Sequence, residues 1–283
     1  MYKKKISYCL NHKHVDNKIL VNTQNYTWRM CNLCGLIYSD IKIKKHRNYL
    51  TKLKIFDNFK ESNSIEFEKI LKRVKFLDHN TNKKKWFDFG CGTGNELKIV
   101  KKHNLIGTGF EPNKRLFKKC KKKNLEVYNK LKDIKKTFNF IFTRNTFKYV
   151  ENFPKSILSL SKLLEDNGLL IWRDKYFDYM PIKRYMRDVD ETMVTSSFLK
   201  KNTIKFYLFH LNFEILFSKF YLDESFLIIA KKKGGLKRND NYNLPKLSSF
   251  FNYSNFYIFT ILRKILFYSY LKLKKVKSFF YEK

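Results

Sequence analysis

Nine residues of this 283-residue chain, WFDFGCGTG at positions 86–94, put an acid, a thiol, a hydroxyl and three glycines on one short turn. Gly90, Gly92 and Gly94 fall at every second position, so the main chain can take positive φ there and no Cβ stands between it and a ligand. Asp88 comes two residues before the first glycine. A phosphate cradle recruits anions through helix-start amides, and a carboxylate beside it opposes that use. A cationic nucleoside cofactor reverses the preference. The next apolar run, residues 105–111, ends in Glu111. That acid lies about twenty residues beyond the turn, a spacing that suits the vicinal hydroxyls of a ribose. Asp88, Gly90, Cys91, Gly92, Thr93, Gly94 and Glu111 are therefore the expected cofactor-binding set, with Asn145 reaching the same mouth from a later strand.

A second group has the chemistry of a metal site. Cys9 and His12 are separated by two residues, as are Cys31 and Cys34, and eighteen residues lie between the pairs. Two such knuckles can close a tetrahedral Zn²⁺ site with four protein ligands and no open position, which makes the metal structural. Gly35 supplies the permissive backbone after Cys34. His14 is the rival to His12 as fourth ligand. A disulfide framework fits less well, because no secretory segment leads into the cysteines and Cys91 sits inside the glycine turn.

These groups need a frame to hold them, and the apolar pattern predicts one. Residues 86–89, 105–111, 125–128, 138–143 and 169–172 read as buried strands. Residues 95–104, 113–123 and 152–167 read as helices between them, the last with Phe153, Ile157, Leu160 and Leu164 on one stripe. Gly168 stands where that helix would end left-handed. Residues 213–221 and 226–230 are joined too tightly to be anything but antiparallel. Open α/β sheets bind ligands at the carboxyl ends of their strands. Asn145, Asp174 and Tyr176 follow two such ends and are the expected catalytic residues. His210 reads as a structural histidine and Asp133 as a solvated loop acid, while residues 175–196 read as a lid.

The stretch DFGCGTG with Glu111 downstream resembles motif I and its ribose-binding partner in the class I S-adenosylmethionine-dependent methyltransferases. The resemblance covers about residues 83–233 and implies an α/β, Rossmann-like sheet with a terminal antiparallel hairpin. It also implies S-adenosylmethionine as cofactor, with Asp88 near its methionine part and Glu111 on its ribose. Many small-molecule enzymes of that family carry a Glu-His pair after the fourth strand. Lys148 and Tyr149 occupy the matching place here, so any role of that His must be met differently. A ribbon closing in Cys34-Gly-Leu-Ile-Tyr38 ahead of motif I is similar to bacterial methyltransferases associated with sugar and surface-polysaccharide modification. The expected organisation is a zinc-ribbon-like segment over 1–45, a helical connector over 46–82, the methyltransferase domain over 83–233 and a basic, aromatic helical tail over 234–283.

Composition narrows the partners less than the net charge of +35 suggests. Lys, Asn, Ile, Phe and Tyr are raised together while Gly and Pro are scarce, the signature of AT-biased coding. The excess is also dispersed, whereas a nucleic-acid footprint is a patch or stripe. In the tail, Arg263 and Lys264 interrupt the most apolar run, which is too short to span a bilayer. Packing or dimerisation of that tail is favoured over peripheral contact with an anionic membrane. The expectation is a cytoplasmic methyltransferase, at the inner membrane face if the tail binds lipid, acting on a small-molecule or glycan-precursor acceptor. An RNA base methyltransferase is the enzymatic alternative. A catalytically degenerate fold used for binding or scaffolding is the other.

Overall fold

Alternation along each strand decides which of the sheet's two faces each side chain meets. In β4 (Lys85–Phe89) Trp86 faces one layer while Phe87 and Phe89 face the other. The computed structural model describes residues 17–22, 27–39, 64–79, 81–150, 152–176, 197–221 and 224–234. Around β4 stand β5 (Ile106–Phe110), β6 (Val127–Tyr128), β7 (Phe138–Arg144), β8 (Leu164–Lys175), β10 (Phe213–Phe220) and β11 (Ser225–Lys232). The sheet order is β10-β11-β8-β7-β4-β5-β6. The pairs from β8 through β6 are parallel, and β11 pairs antiparallel with both β8 and β10. The chain runs outward from β4 to β6 on one side and resumes at β7 on the other, which opens a crevice at the carboxyl ends of β4 and β7.

Helices cover both faces. Helix α1 (Ser64–Leu77) buries Phe67, Ile70, Leu71 and Val74, and α2 (Asn95–Lys102) buries Leu97 and Val100, all against Trp86, Phe140, Phe142 and Ile171. Helix α3 (Lys114–Lys122) adds Cys120 to that layer, its first turn capped by the Asn113 side chain on the Arg115 and Leu116 amides. The opposite layer takes α4 (Phe153–Leu163) and α5 (Lys201–His210). There Trp172 lies 4.8 Å from Phe147, 5.8 Å from Phe153 and 5.3 Å from Phe226, centroid to centroid.

The helix predicted to end near Asn167 stops at Leu163, and the chain enters β8 directly. The left-handed residue is Asn167, at φ +63°, not Gly168. Gly168 is required for a different reason: a Cβ there would lie 2.8 Å from Glu165 O and 2.9 Å from Asn139 O.

At the N-terminus, β1 (Asn17–Asn22), β2 (Thr27–Cys31) and β3 (Ile37–Ser39) form an antiparallel sheet. Its fourth strand comes from far along the chain: β9 (Ser197–Phe198) pairs with Ile37 and Tyr38. Cys31, Cys34, Leu36 and Tyr38 are buried in the same apolar cluster as Trp172 and Phe147, so this hairpin shares the main core. Cys9 and His12, most of the connector, residues 177–196 of the expected lid and the tail beyond Gly234 lie outside the described residues. Among the described residues no helix is long and apolar enough to cross a membrane.

Candidate cofactor and acceptor site

Four neighbouring strands carry a charged residue at or beside their crevice ends: Asp88 next to the end of β4, Glu111 just after β5, Arg144 closing β7 and Asp174 next to the end of β8. The turn after β4 is pinned to β5, because the Gly90 and Cys91 N–H groups both donate to Phe110 O, at 2.9 and 3.0 Å. Gly90 is needed for packing, since a Cβ there would fall 2.4 Å from Thr146 Oγ1. Gly92, at φ +56°, differs: a Cβ built on it meets nothing within 4 Å. The turn therefore presents bare main chain to open space at Gly92. Thr93 offers its carbonyl to Lys123 Nζ at 2.8 Å, and Gly94 closes the turn through its N–H on Cys91 O at 2.8 Å.

Glu111 faces this turn. Its two carboxylate oxygens accept from Gly92 N at 2.9 Å and Asn113 N at 2.8 Å. Burial nevertheless outweighs those two amides and pushes the carboxyl up to about 7. Asp88 is only 2% exposed, and its Oδ2 finds no hydrogen-bond partner among the described residues. Burial, then the neighbouring Glu96 carboxylate, hold Asp88 well above the usual range, and Arg144 opposes them.

Glu96 and Arg144 form an ion pair on this same face, and Arg173 Nε bonds Glu66 Oε1 at 2.8 Å. Arg144 and Arg173 are register partners on β7 and β8, so two arginines stand side by side on neighbouring strands, each matched by a helix carboxylate. Sequence reasoning missed this network. A signal was available, because a charged residue closing the apolar run of β7 matches Asp88 and Glu111 in position.

On the other face, Asp174 is 1% exposed, with Oδ1 accepting from Lys175 N at 2.9 Å and Oδ2 unpartnered among the described residues. Burial raises it to about 6 against the opposing pull of the Lys175 amide, the Lys148 ammonium, the Trp172 side chain and the Phe147 amide. Lys148 is itself buried, with Nζ 4.8 Å from the Tyr149 ring centroid. Asn145 is exposed at the carboxyl end of β7, at φ +52°, with its N–H on Arg173 O at 2.9 Å.

Tyr176 is placed otherwise than its sequence position suggested. It is fully enclosed, edge-on to Phe220 at 5.1 Å, with Lys201 Nζ 4.8 Å from its ring centroid and its hydroxyl donating to Tyr221 O at 3.4 Å. Those contacts make it part of the packing rather than a group facing the crevice. His210 packs on Phe206 at 4.2 Å, and Asp133 is exposed, as expected for both.

The knuckle at Cys31 and Cys34 has Gly35 at φ +69° with its N–H on Cys31 O at 2.9 Å. Both thiols are buried, and Tyr207 Oη donates to Cys34 Sγ at 3.7 Å. Among the described residues no cluster of three or more His, Cys, Asp or Glu could hold a metal, so the zinc expectation is not supported there.

An orphaned buried carboxylate and an open main-chain turn suit a cationic ligand that carries a sugar. The residues present fit S-adenosylmethionine.

A solved structure shares this fold. A structure described as a sarcosine dimethylglycine methyltransferase from Galdieria sulphuraria superposes with a TM-score of 0.54 at 11% identity, covering 67% of this chain and 98% of that one. An S-adenosylmethionine-dependent methyltransferase from Clostridium acetobutylicum matches at 14% identity and TM-score 0.49, over 68% of this chain and 100% of its own. Magnesium protoporphyrin IX methyltransferase from Synechocystis, solved with bound S-adenosylhomocysteine, matches at 15% and 0.48, over 67% and 93%. At such identities the likeness speaks for the fold alone. No curated protein sequence matches. The model of a methyltransferase-domain family matches residues 63–207, just over half of the chain, and this protein belongs to that family.

Proposed function

We propose that the crevice binds S-adenosylmethionine at its β4–β5 side and a hydroxyl-bearing small metabolite, of the sugar class, at its β7–β8 side. The observation that carries the acceptor reading is Asp174. A buried carboxylate at a strand end, with one oxygen unpartnered among the described residues, supports the reading of a base for a hydroxyl proton. The glycan-precursor assignment adds the resemblance of the Cys34-Gly-Leu ribbon ending to sugar-modifying relatives. A cytoplasmic setting and the four-part domain division go with this reading.

When bound, S-adenosylmethionine supplies an electrophilic methyl group on a sulfonium. Asp88, which burial and Glu96 keep well above the usual range, would be drawn to its ionised form by the cofactor's cationic end, and Glu111 would accept from the ribose hydroxyls while holding the Gly92 N–H. Asn145 orients the acceptor from its exposed left-handed turn. Asp174 takes the acceptor's proton into its Oδ2, and Lys148 moderates that carboxylate's affinity for it. The aromatic wall of Phe147, Phe153 and Trp172 behind them excludes water. Tyr176 has no part in these steps. Methyl transfer assayed against nucleotide sugars and RNA tests the whole reading: transfer to a nucleotide sugar is expected, and transfer to RNA alone would overturn it.

Gly92→Ala should separate cradle from fold. The substitution meets no neighbour, so its structural cost is that of a left-handed alanine, about 1–2 kcal/mol. The methyl group would stand in the space proposed for the cofactor, so calorimetry should register loss of S-adenosylmethionine binding by a folded protein.

The same proposal includes a structural Zn²⁺ held by Cys31 and Cys34 with Cys9 and His12. What supports it is the buried, glycine-closed knuckle. Metal analysis of the native full chain should find one zinc per chain, and Cys31→Ser should release it and lower the melting temperature. A metal-free native preparation would remove zinc from the account.

A further inference from the structure

The glycine turn contains a thiol, and a second thiol lies against it. Cys91 sits between Gly90 and Gly92, and Cys120 projects from α3 so that its Sγ donates to Gly92 O at 3.2 Å. Space for the two sulfurs is reserved by glycines: a Cβ at Gly109 would lie 2.7 Å from Cys91 Sγ, and one at Gly94 would lie 3.2 Å from Cys120 Sγ. Both are free thiols. We propose that Cys91 and Cys120 form an oxidation site, joined by a hydroperoxide into a disulfide that draws the glycine turn out of its cofactor-binding shape.

The two thiols are not equivalent. The Cys91 thiol lowers Cys120, with Lys123 acting in the same direction against burial and Glu111, while Cys120 and burial raise Cys91. Cys120 is thus the attacking thiolate and Cys91 the resolving thiol. Cys120 sulfur attacks the peroxide, forming an S–O bond as the O–O bond breaks, and the departing hydroxide becomes water by taking the Cys91 proton. The Cys91 thiolate then attacks the Cys120 sulfenic sulfur. The S–S bond forms, the S–O bond breaks, and the second hydroxide takes up the proton that Cys120 had lost. Two thiols and one hydrogen peroxide give one disulfide and two waters.

The consequence runs through Gly92. Its carbonyl is held by Cys120 and its N–H by Glu111. A disulfide requires a sulfur separation of about 2.05 Å, and Cys120 must surrender its bond to Gly92 O to reach it. Because Leu116 and Cys120 anchor α3 in the core, the turn is the part that moves. Gly92 then leaves Glu111. The effect on the cofactor rests on the proposed function; the oxidation itself does not.

The test treats the reduced full chain with hydrogen peroxide, maps disulfides by non-reducing mass spectrometry and measures S-adenosylmethionine affinity before oxidation, after it, and after dithiothreitol. A Cys91–Cys120 cross-link and a loss of affinity of roughly tenfold or more, reversed by reductant, are expected. In Cys120→Ala, and in Cys120→Ser should alanine fail to fold, peroxide should leave that variant's own affinity unchanged. Unmodified Cys91 and Cys120, a cross-link without loss of affinity, or a loss that persists in the variants would each overturn the proposal. A reduced protein that binds no cofactor would count against the cofactor reading alone, since the mapped cross-link still decides the oxidation site.

Discussion

Replacing Glu111 by glutamine is expected to weaken S-adenosylmethionine binding about 10- to 100-fold while making the cofactor-free protein more stable at pH 8. The first effect follows from removing a charged acceptor from two ribose hydroxyls, worth about 1.5–3 kcal/mol. The second follows from linkage. The Glu111 carboxyl is raised from 4.5 to about 7 in the fold. A raised folded value means that the folded state holds a proton the unfolded state has released. Its contribution to stability is complete below about pH 4.5 and is lost as pH climbs through about 7. By pH 8 the ionised, buried Glu111 costs about 3 kcal/mol. Glutamine removes that cost but can accept from only one of the two amides now served, which returns about 1 kcal/mol. Thermal melts of the cofactor-free proteins should therefore diverge at pH 8 and converge near pH 5. Wild-type affinity should also rise from pH 6 to pH 8, as the carboxylate forms. Unchanged affinity in the variant would remove Glu111 from the ribose.

Asp174→Asn carries the largest expected effect on rate. A positioned general base contributes typically 10²–10⁴-fold, so kcat should fall by about that factor while cofactor affinity stays within a few-fold of wild type. The wild-type rate should rise with pH through about 6, because the base must be ionised and burial holds it to about 6 in the fold. In the variant that limb should vanish. Asparagine also lifts the burden of a buried charge, so the variant should melt higher than wild type at pH 8. A rate loss with the pH limb retained would assign the proton to another group. A rate loss with falling cofactor affinity would make Asp174 a structural residue.

The cofactor turn was legible because its logic is local. Asp88, the three glycines and Glu111 are set by the end of one strand, the sterics of one turn and the end of the next strand, and β4 and β5 formed where the apolar runs predicted them. The hairpin of β10 and β11 was readable for the same reason. Gly168 misled because a glycine reports permissiveness without saying whether a left-handed turn or a close strand is the cause. Tyr176 misled because position after a strand does not disclose direction; Phe220 and Tyr221, over forty residues on, enclose it.

By itself the sequence determined the class of chemistry, since a run of alternating glycines between two acids leaves few ligands it could serve. Only the tertiary structure decided which charges meet. Arg144 with Glu96, Arg173 with Glu66, Cys120 with Gly92 and Cys34 with Tyr207 are partners across 48, 107, 28 and 173 residues. Each pairing depends on how helices lie across a sheet, and that is set by burial summed over the whole core rather than by any neighbour in the chain.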